Sequence, residues 1–136
     1  MTNQRFGRMG GKMQKKILII DDEVTFTNAL KLTLEMKDHY EVCAENDPRR
    51  ALATARKFWP DIILLDVVMP ELDGGEVHTQ LMADPILKHI PIMFLTAIVR
   101  KQEVDENKGF IGGSYYIAKP VNADGLIQAI EEHIRS

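Results

Sequence analysis

Four short apolar runs punctuate the chain, and each stops at a polar group. Ile17–Ile20 ends at Asp21-Asp22, Ile62–Leu65 at Asp66, Pro91–Leu95 at Thr96 and Tyr115–Ala118 at Lys119-Pro120. Unbroken apolar runs of this length read as strands buried on both faces. A fifth strand, Tyr40–Glu45, is more polar and reads as a sheet edge. The stretches between follow a helical period. Phe26, Leu30 and Leu34, with Ala29, Leu32 and Met36, predict a helix over 23–36. Asp47-Pro48 opens a second helix as cap and first-turn residue, and Ala51, Leu52 and Ala55 give its inner face. Trp59 reads as a hydrophobic plug between that helix and the next strand. After the breaker-rich loop 69–75, a short helix is expected over about 76–82. The charged stretch 100–108, with Val104 as its single apolar residue, predicts a fourth helix. Leu126, Ile127, Ile130 and Ile134 predict a fifth over 123–134.

Strands alternating with helices imply an α/β fold: a doubly wound, five-stranded parallel sheet with five helices and right-handed crossovers. Such a sheet works at the carboxyl ends of its strands. That rule gathers Asp21, Asp22, Asp66, Thr96 and Lys119 onto one rim.

The length of 136 residues allows one domain with a full core. Residues 1–14 are polar and glycine-containing and read as a disordered basic leader, and residues 15–136 as the domain. Arg5, Arg8, Lys12, Lys15 and Lys16 sit near the start with no acid among them. The rest is therefore more acidic than the net charge of −3 shows. An acidic body argues against direct DNA binding. No apolar run approaches the roughly 20 residues that span a bilayer, and no secretory signal follows the N-terminus. A single cysteine, Cys43, excludes an internal disulfide and fits a cytoplasmic setting. Cys43 is expected as a buried strand thiol, and His39, His78, His89 and His133 as surface residues without metal-ligand spacing.

Three carboxylates brought close together repel, so protons or a cation must offset them. Lys119 supplies one positive charge. An oxygen-seeking divalent ion, Mg²⁺ or Mn²⁺, suits the remainder, and the absence of a His/Cys cluster argues against zinc. A carboxylate beside such cations can attack a phosphoryl group. Each residue alone has a plainer reading: Asp22 as a helix cap, Asp66 as a loop start, Thr96 as a turn residue, Lys119 as a solvated surface charge.

Ile-Ile-Asp-Asp-Glu at 19–23, Asp-Ile-Ile-Leu-Leu-Asp at 61–66 with Met69-Pro70 and Asp73-Gly74, Phe-Leu-Thr-Ala at 94–97 and Ala-Lys-Pro at 118–120 together resemble the response-regulator receiver domain of two-component phosphorelay signalling, over residues 15–135. The resemblance implies the flavodoxin-like strand order 2-1-3-4-5. It implies Asp66 as phosphoacceptor, and Asp21, Asp22, Asp66 and the Val68 backbone carbonyl around Mg²⁺. It implies Lys119, Thr96 and Ala97 at the phosphoryl group, Thr96 and Tyr116 as a switch pair, and a candidate cis bond between Lys119 and Pro120. The implied partners are a sensor histidine kinase or histidine phosphotransfer protein, and a downstream protein or an output domain outside this chain. Such a domain is not an enzyme, although it assists its own Mg²⁺-dependent phosphotransfer and slow dephosphorylation. No membrane partner is expected.

Three other functions compete. A phosphatase of the haloacid-dehalogenase type would want an acid where Val68 stands. A nucleotide or flavin binder would want a glycine-rich loop after the first strand, which is absent. A docking module that is never phosphorylated would not need the acids, Thr96 and Lys119. The sequence also departs from the family pattern. Gly109–Ser114 is glycine-rich, and Val68 and Ile98 are apolar where polar residues are frequent. The latter two are expected to limit water access to an acyl phosphate.

Overall fold

The computed structural model describes residues 7–9, 12–37, 39–70, 72–97, 110–111, 114–119 and 121–134. Five strands run parallel: β2 (Lys12–Ile20), β3 (Tyr40–Glu45), β4 (Ile62–Asp66), β5 (Ile92–Thr96) and β7 (Ser114–Ala118). β2 pairs with both β3 and β4, β4 with β5, and β5 with β7. Counted among the parallel strands alone, the order is 2-1-3-4-5. Four α-helices lie among the described residues: α1 (Val24–Glu35), α2 (Ala51–Phe58), α3 (Gly74–Ala83) and α4 (Ala123–Ile134). The helix expected over 100–108 lies outside the described residues, as do Ile98 and Pro120.

The apolar runs behave as their composition demands. Alternate residues of β2 serve opposite faces: Ile17 and Ile19 join Leu30 and Leu34 of α1 and Leu126 and Ile130 of α4. Leu18 and Ile20 join Ala51 and Ala55 of α2 and Val77 and Leu81 of α3. All four side chains of the β2 run are fully buried, as are Ile62–Leu65 of β4. This two-sided burial is why these strands show no polar alternation.

The structure differs from the sequence reading at several places. Part of the expected leader is ordered into strand: β1 (Gly7–Met9) pairs antiparallel with the start of β2, with Met9 opposite Lys12. The glycine-rich stretch holds β6 (Phe110–Ile111), antiparallel to β7. α3 begins two residues early because Asp73 caps it, its carboxylate accepting from the Glu76 amide at 2.9 Å. Trp59 is no plug. It follows α2 at φ 56°, a left-handed conformation, and is 47% exposed. Pro60 disfavours further helix at that residue, and the resulting turn carries the ring outward. Cys43 is only half-buried. His39 and His89 are exposed, but His78 and His133 are half-buried. His78 packs on Phe94 with ring centroids 5.4 Å apart, and His133 meets Tyr115 edge-on at 4.2 Å.

Asp84, just past α3, accepts from the Ile86 and Leu87 amides at 2.9 and 3.0 Å and pairs with Arg56 Nη2 at 2.8 Å. The two amide bonds, then Arg56, hold its carboxyl below the usual range. A lowered folded value means stability that is present above the unfolded pKa and lost as pH falls through the folded one. Asp84→Asn should therefore lower the urea midpoint at neutral pH, and the gap to wild type should close in acid. A constant gap across pH would show that the charge contributes nothing.

Candidate functional site

The carboxyl ends of β2, β4, β5 and β7 form one rim, because the register sets Ile20 opposite Leu65, Asp66 opposite Leu95 and Thr96 opposite Ala118. Asp21 is fully buried at the end of β2, and Asp66 is 4% exposed at the end of β4. Asp22 is half-buried beside them. Oxygens of all three carboxylates come within 4.8 Å of one another. Asp22 does not cap α1: the N-cap is Glu23, which makes no side-chain capping bond. The plainer reading of Asp22 as a cap therefore fails, and its carboxylate stays available to the cluster.

Lys119 reaches the cluster from the end of β7. Its Nζ donates to Asp21 Oδ2 at 2.8 Å and Glu23 Oε1 at 2.9 Å, and stands 3.7 Å from Asp66 Oδ1. Its backbone amide donates to the Thr96 carbonyl at 2.9 Å, which locks the end of β7 to the end of β5. Thr96 is fully buried. Phe94 sits opposite Tyr116 in the β5–β7 register, and their rings stack at 5.2 Å. Strand alternation puts Thr96 on the same face as Phe94 and hence on the side of Tyr116, whereas Tyr115 packs on α4 through His133. Ala97 and Lys119 line the mouth of a groove of about 530 Å³ that runs along Phe26, Leu30 and Val121.

The electrostatics follow from this arrangement. Burial, then the neighbouring Asp21 charge, push the Asp66 carboxyl up to about 6 from 3.8, against the smaller pull of Lys119 and a bond from the Val68 amide. Burial would lower the Lys119 ammonium, but the hydrogen bonds to Asp21 and Glu23 and the charges of Asp21 and Asp66 outweigh it and raise it. Lys119 gives its short bonds to Asp21 and Glu23, so Asp66 remains short of positive charge.

The receiver-domain family, described as response regulator receiver domain, matches residues 17–131. The chain belongs to that family. Among similar proteins, the Bacillus subtilis alkaline phosphatase synthesis transcriptional regulatory protein PhoP is 39% identical over 109 residues, 79% of this chain and 43% of that protein. The polar-differentiation response regulator DivK of Brucella ovis is 32% identical over 123 residues, 90% of this chain and 98% of that protein. The chain spans less than half of PhoP and 24% of the response regulator PleD of Caulobacter vibrioides. Among solved structures, the Vibrio cholerae chemotaxis protein CheY4 superposes with a TM-score of 0.74 at 30% identity, covering 88% of this chain and 98% of that one. Receiver domains act in two-component phosphorelays with histidine kinases or phosphotransfer proteins, generally as switches and not as enzymes, and they bind Mg²⁺ at an acidic pocket. No helix among the described residues is long and apolar enough to cross a membrane.

The donor set of this receiver fits Mg²⁺. It is all oxygen, carries an excess of negative charge, and is compact enough for two carboxylates to reach one ion at about 2.1 Å with waters completing the shell. The Asp66 carboxyl is raised by burial first and by the neighbouring Asp21 charge second. Its stability contribution has the opposite sign to that of Asp84: a folded pKa above the unfolded one favours the fold at low pH, and that advantage is lost as pH rises through about 6. Added Mg²⁺ should restore stability at pH 8, by about 2–3 kcal/mol at a hundredfold excess over Kd. The gain should shrink below pH 6, where a proton competes for Asp66. Thermal melts with and without Mg²⁺ at pH 8 and pH 5 read both effects, and equal gains at the two values would contradict this account.

Sequence reasoning missed three residues at the site. Glu23 holds Lys119, although an acid at a helix start is ordinarily read as a charge favoured by the helix dipole. Phe26 was legible only as a core position of α1, yet Lys119 Nζ lies 4.4 Å from its ring centroid. Asn46 donates to the Asp21 carbonyl at 2.8 Å and to Thr27 Oγ1 at 2.9 Å, pinning the acid pair from β3, and no local pattern marks it.

Proposed function

We propose that this receiver is a phosphorylation-dependent switch of a two-component system in which Asp66 accepts a phosphoryl group from a sensor histidine kinase or histidine phosphotransfer protein. The observation that supports it best is the placement of a half-buried lysine, from the end of β7, among three carboxylates at the ends of β2 and β4. An Asp66 oxygen bonds to phosphorus, the phosphorus–nitrogen bond of the donor breaks, and the imidazole keeps the electron pair and takes up a proton. Asp21, Asp22, Asp66 and the Val68 carbonyl would hold Mg²⁺ or Mn²⁺. When bound, that ion supplies positive charge to the phosphoryl oxygens. Lys119 pairs with another of those oxygens. Ala97, with no side chain beyond Cβ, leaves room for the phosphoryl group, and Thr96 donates its hydroxyl to it. Tyr116, stacked on Phe94 beside Thr96, then turns inward and alters a partner-binding surface around residues 100–134. The site assists its own phosphotransfer and slow dephosphorylation without turning over a separate substrate. The setting is cytoplasmic, and the output is a downstream protein or a further domain rather than direct DNA contact.

Amide NMR with Mg²⁺ and phosphoramidate tests the switch. Shifts should spread from Asp66 through Thr96 and Tyr116 to the 100–134 surface. Shifts confined to the neighbours of Asp66 would contradict the switch while leaving the phosphoacceptor intact. A phosphatase reading is disfavoured by the apolar, 59% exposed Val68 where a second acid would be needed.

A further inference from the structure

Lys119 is held closer to two other acids than to Asp66. Its Nζ is 2.8 Å from Asp21 and 2.9 Å from Glu23, against 3.7 Å from Asp66. The Phe26 ring lies beneath it, with the centroid 4.4 Å from Nζ. An ammonium has three donors, and here two go to Asp21 and Glu23 while the cation rests on an aromatic face. Glu23 is the N-cap of α1 and Phe26 lies in its first turn, so one short segment supplies both contacts.

We propose that Glu23 and Phe26 form a parking site for Lys119, holding its ammonium away from Asp66 and slowing phosphoryl uptake. Both are positioning residues that act through Lys119. The inference rests on the reading of Asp66 as the acceptor.

With acetyl phosphate as donor, an Asp66 oxygen bonds to phosphorus, the bond from phosphorus to the acetate oxygen breaks, and acetate leaves with the electron pair. No proton changes hands. Charge on the transferring oxygens is best met by an ammonium at about 2.8 Å. Nζ now stands 3.7 Å from Asp66, so meeting a phosphoryl oxygen there draws Lys119 toward the acceptor side and stretches its bond to Glu23. The Glu23 side chain is 62% exposed, so its ion pair adds little to the stability of the fold. A weak, exposed tether of this kind sets how readily the lysine leaves. It does not set whether the domain folds.

Two substitutions separate the tether from the fold. Glu23→Gln keeps the size and removes the charge, and Phe26→Leu keeps an apolar side chain and removes the ring face. With acetyl phosphate and Mg²⁺, Glu23→Gln should be phosphorylated about two- to fivefold faster than wild type, the range that loss of an exposed ion pair allows. Phe26→Leu should be faster by less, and the double variant should fall short of the product of the two. In lysine-labelled protein without a phosphodonor, the Lys119 side-chain resonances of Glu23→Gln should move toward those of wild type saturated with beryllofluoride and Mg²⁺. An unchanged or slower rate in Glu23→Gln would overturn the proposal. A faster rate with unmoved Lys119 resonances would overturn it too, since that marks only weaker repulsion of an anionic donor. A wild-type protein that takes no phosphoryl group would defeat the assignment of Asp66 instead, and the resonance shift in unphosphorylated protein keeps the two failures distinct.

Discussion

Alanine in place of Gly74 is expected to destabilise the receiver by about 2–3 kcal/mol, as overpacking a filled site does, and to impair phosphorylation of Asp66. A Cβ at that position would lie 2.2 Å from the Asp66 carbonyl oxygen and 2.8 Å from the Val67 Cα. Both are backbone atoms, so no flexible side chain can give way. The contact is also bonded: the Gly74 amide donates to the Val67 carbonyl at 2.8 Å. The first turn of α3 thus lies directly on the segment that presents Asp66. An added methyl must push α3 off β4 or drag the Asp66 carboxylate from the rim. Helix propensity alone gives the opposite sign, since glycine to alanine in an open helix gains up to about 1 kcal/mol. Urea unfolding decides between them, and a variant as stable as wild type would refute the close approach.

Lys119→Met is expected to have the largest effect on chemistry. Methionine preserves most of the apolar stem and removes the charge. Asp21, whose side chain is fully buried, loses its cation, and Asp66 loses the larger of its two compensating influences, the other being the Val68 amide. Removing one partner of a buried pair costs about 3 kcal/mol or more, and loss of a charge-stabilising donor in a transfer step costs about a hundredfold or more in rate. The two losses should respond differently to Mg²⁺. The added cation should recover much of the stability, because it neutralises the same carboxylates. It should not recover the rate, because the phosphoryl oxygen proposed to pair with Lys119 would still lack its partner. Lower pH should also restore stability, since Asp66, already raised to about 6 in wild type, protonates more readily without the ammonium. Thermal melts and phosphorylation time courses on one preparation read both. Full recovery of the rate by Mg²⁺ would show that Lys119 only balances charge.

The sheet and its working rim were legible because both follow from a single pattern. Buried parallel strands must be apolar throughout, so Ile17–Ile20 and Ile62–Leu65 stand out, and the residues that end them mark the rim. The receiver resemblance drew its specificity from those same positions. What escaped the sequence depends on distances between segments that periodicity does not encode. Gly74 reads as a loop glycine that belongs, with Asp73, to the receiver resemblance, and only the fold shows the Asp66 carbonyl against it. Trp59 has the composition of a core residue, but the following proline ends the helix and the left-handed turn sends the ring to solvent. Asp73 and Glu23 stand at comparable helix starts, yet only Asp73 caps its helix while Glu23 turns to Lys119. Both are acids at N-termini, but Asp has the short side chain a cap needs, and Glu23 meets a lysine 96 residues away in the chain.

Whether the carboxylate at the end of β4 takes a phosphoryl group is read by intact-mass spectrometry after incubation with acetyl phosphate and Mg²⁺. One phosphoryl adduct should appear on the wild-type chain, be lost on addition of hydroxylamine as an acyl phosphate must be, and be absent in Asp66→Ala. An adduct that persists in Asp66→Ala, or no adduct on a wild-type protein that binds Mg²⁺, would contradict phosphoryl transfer to Asp66.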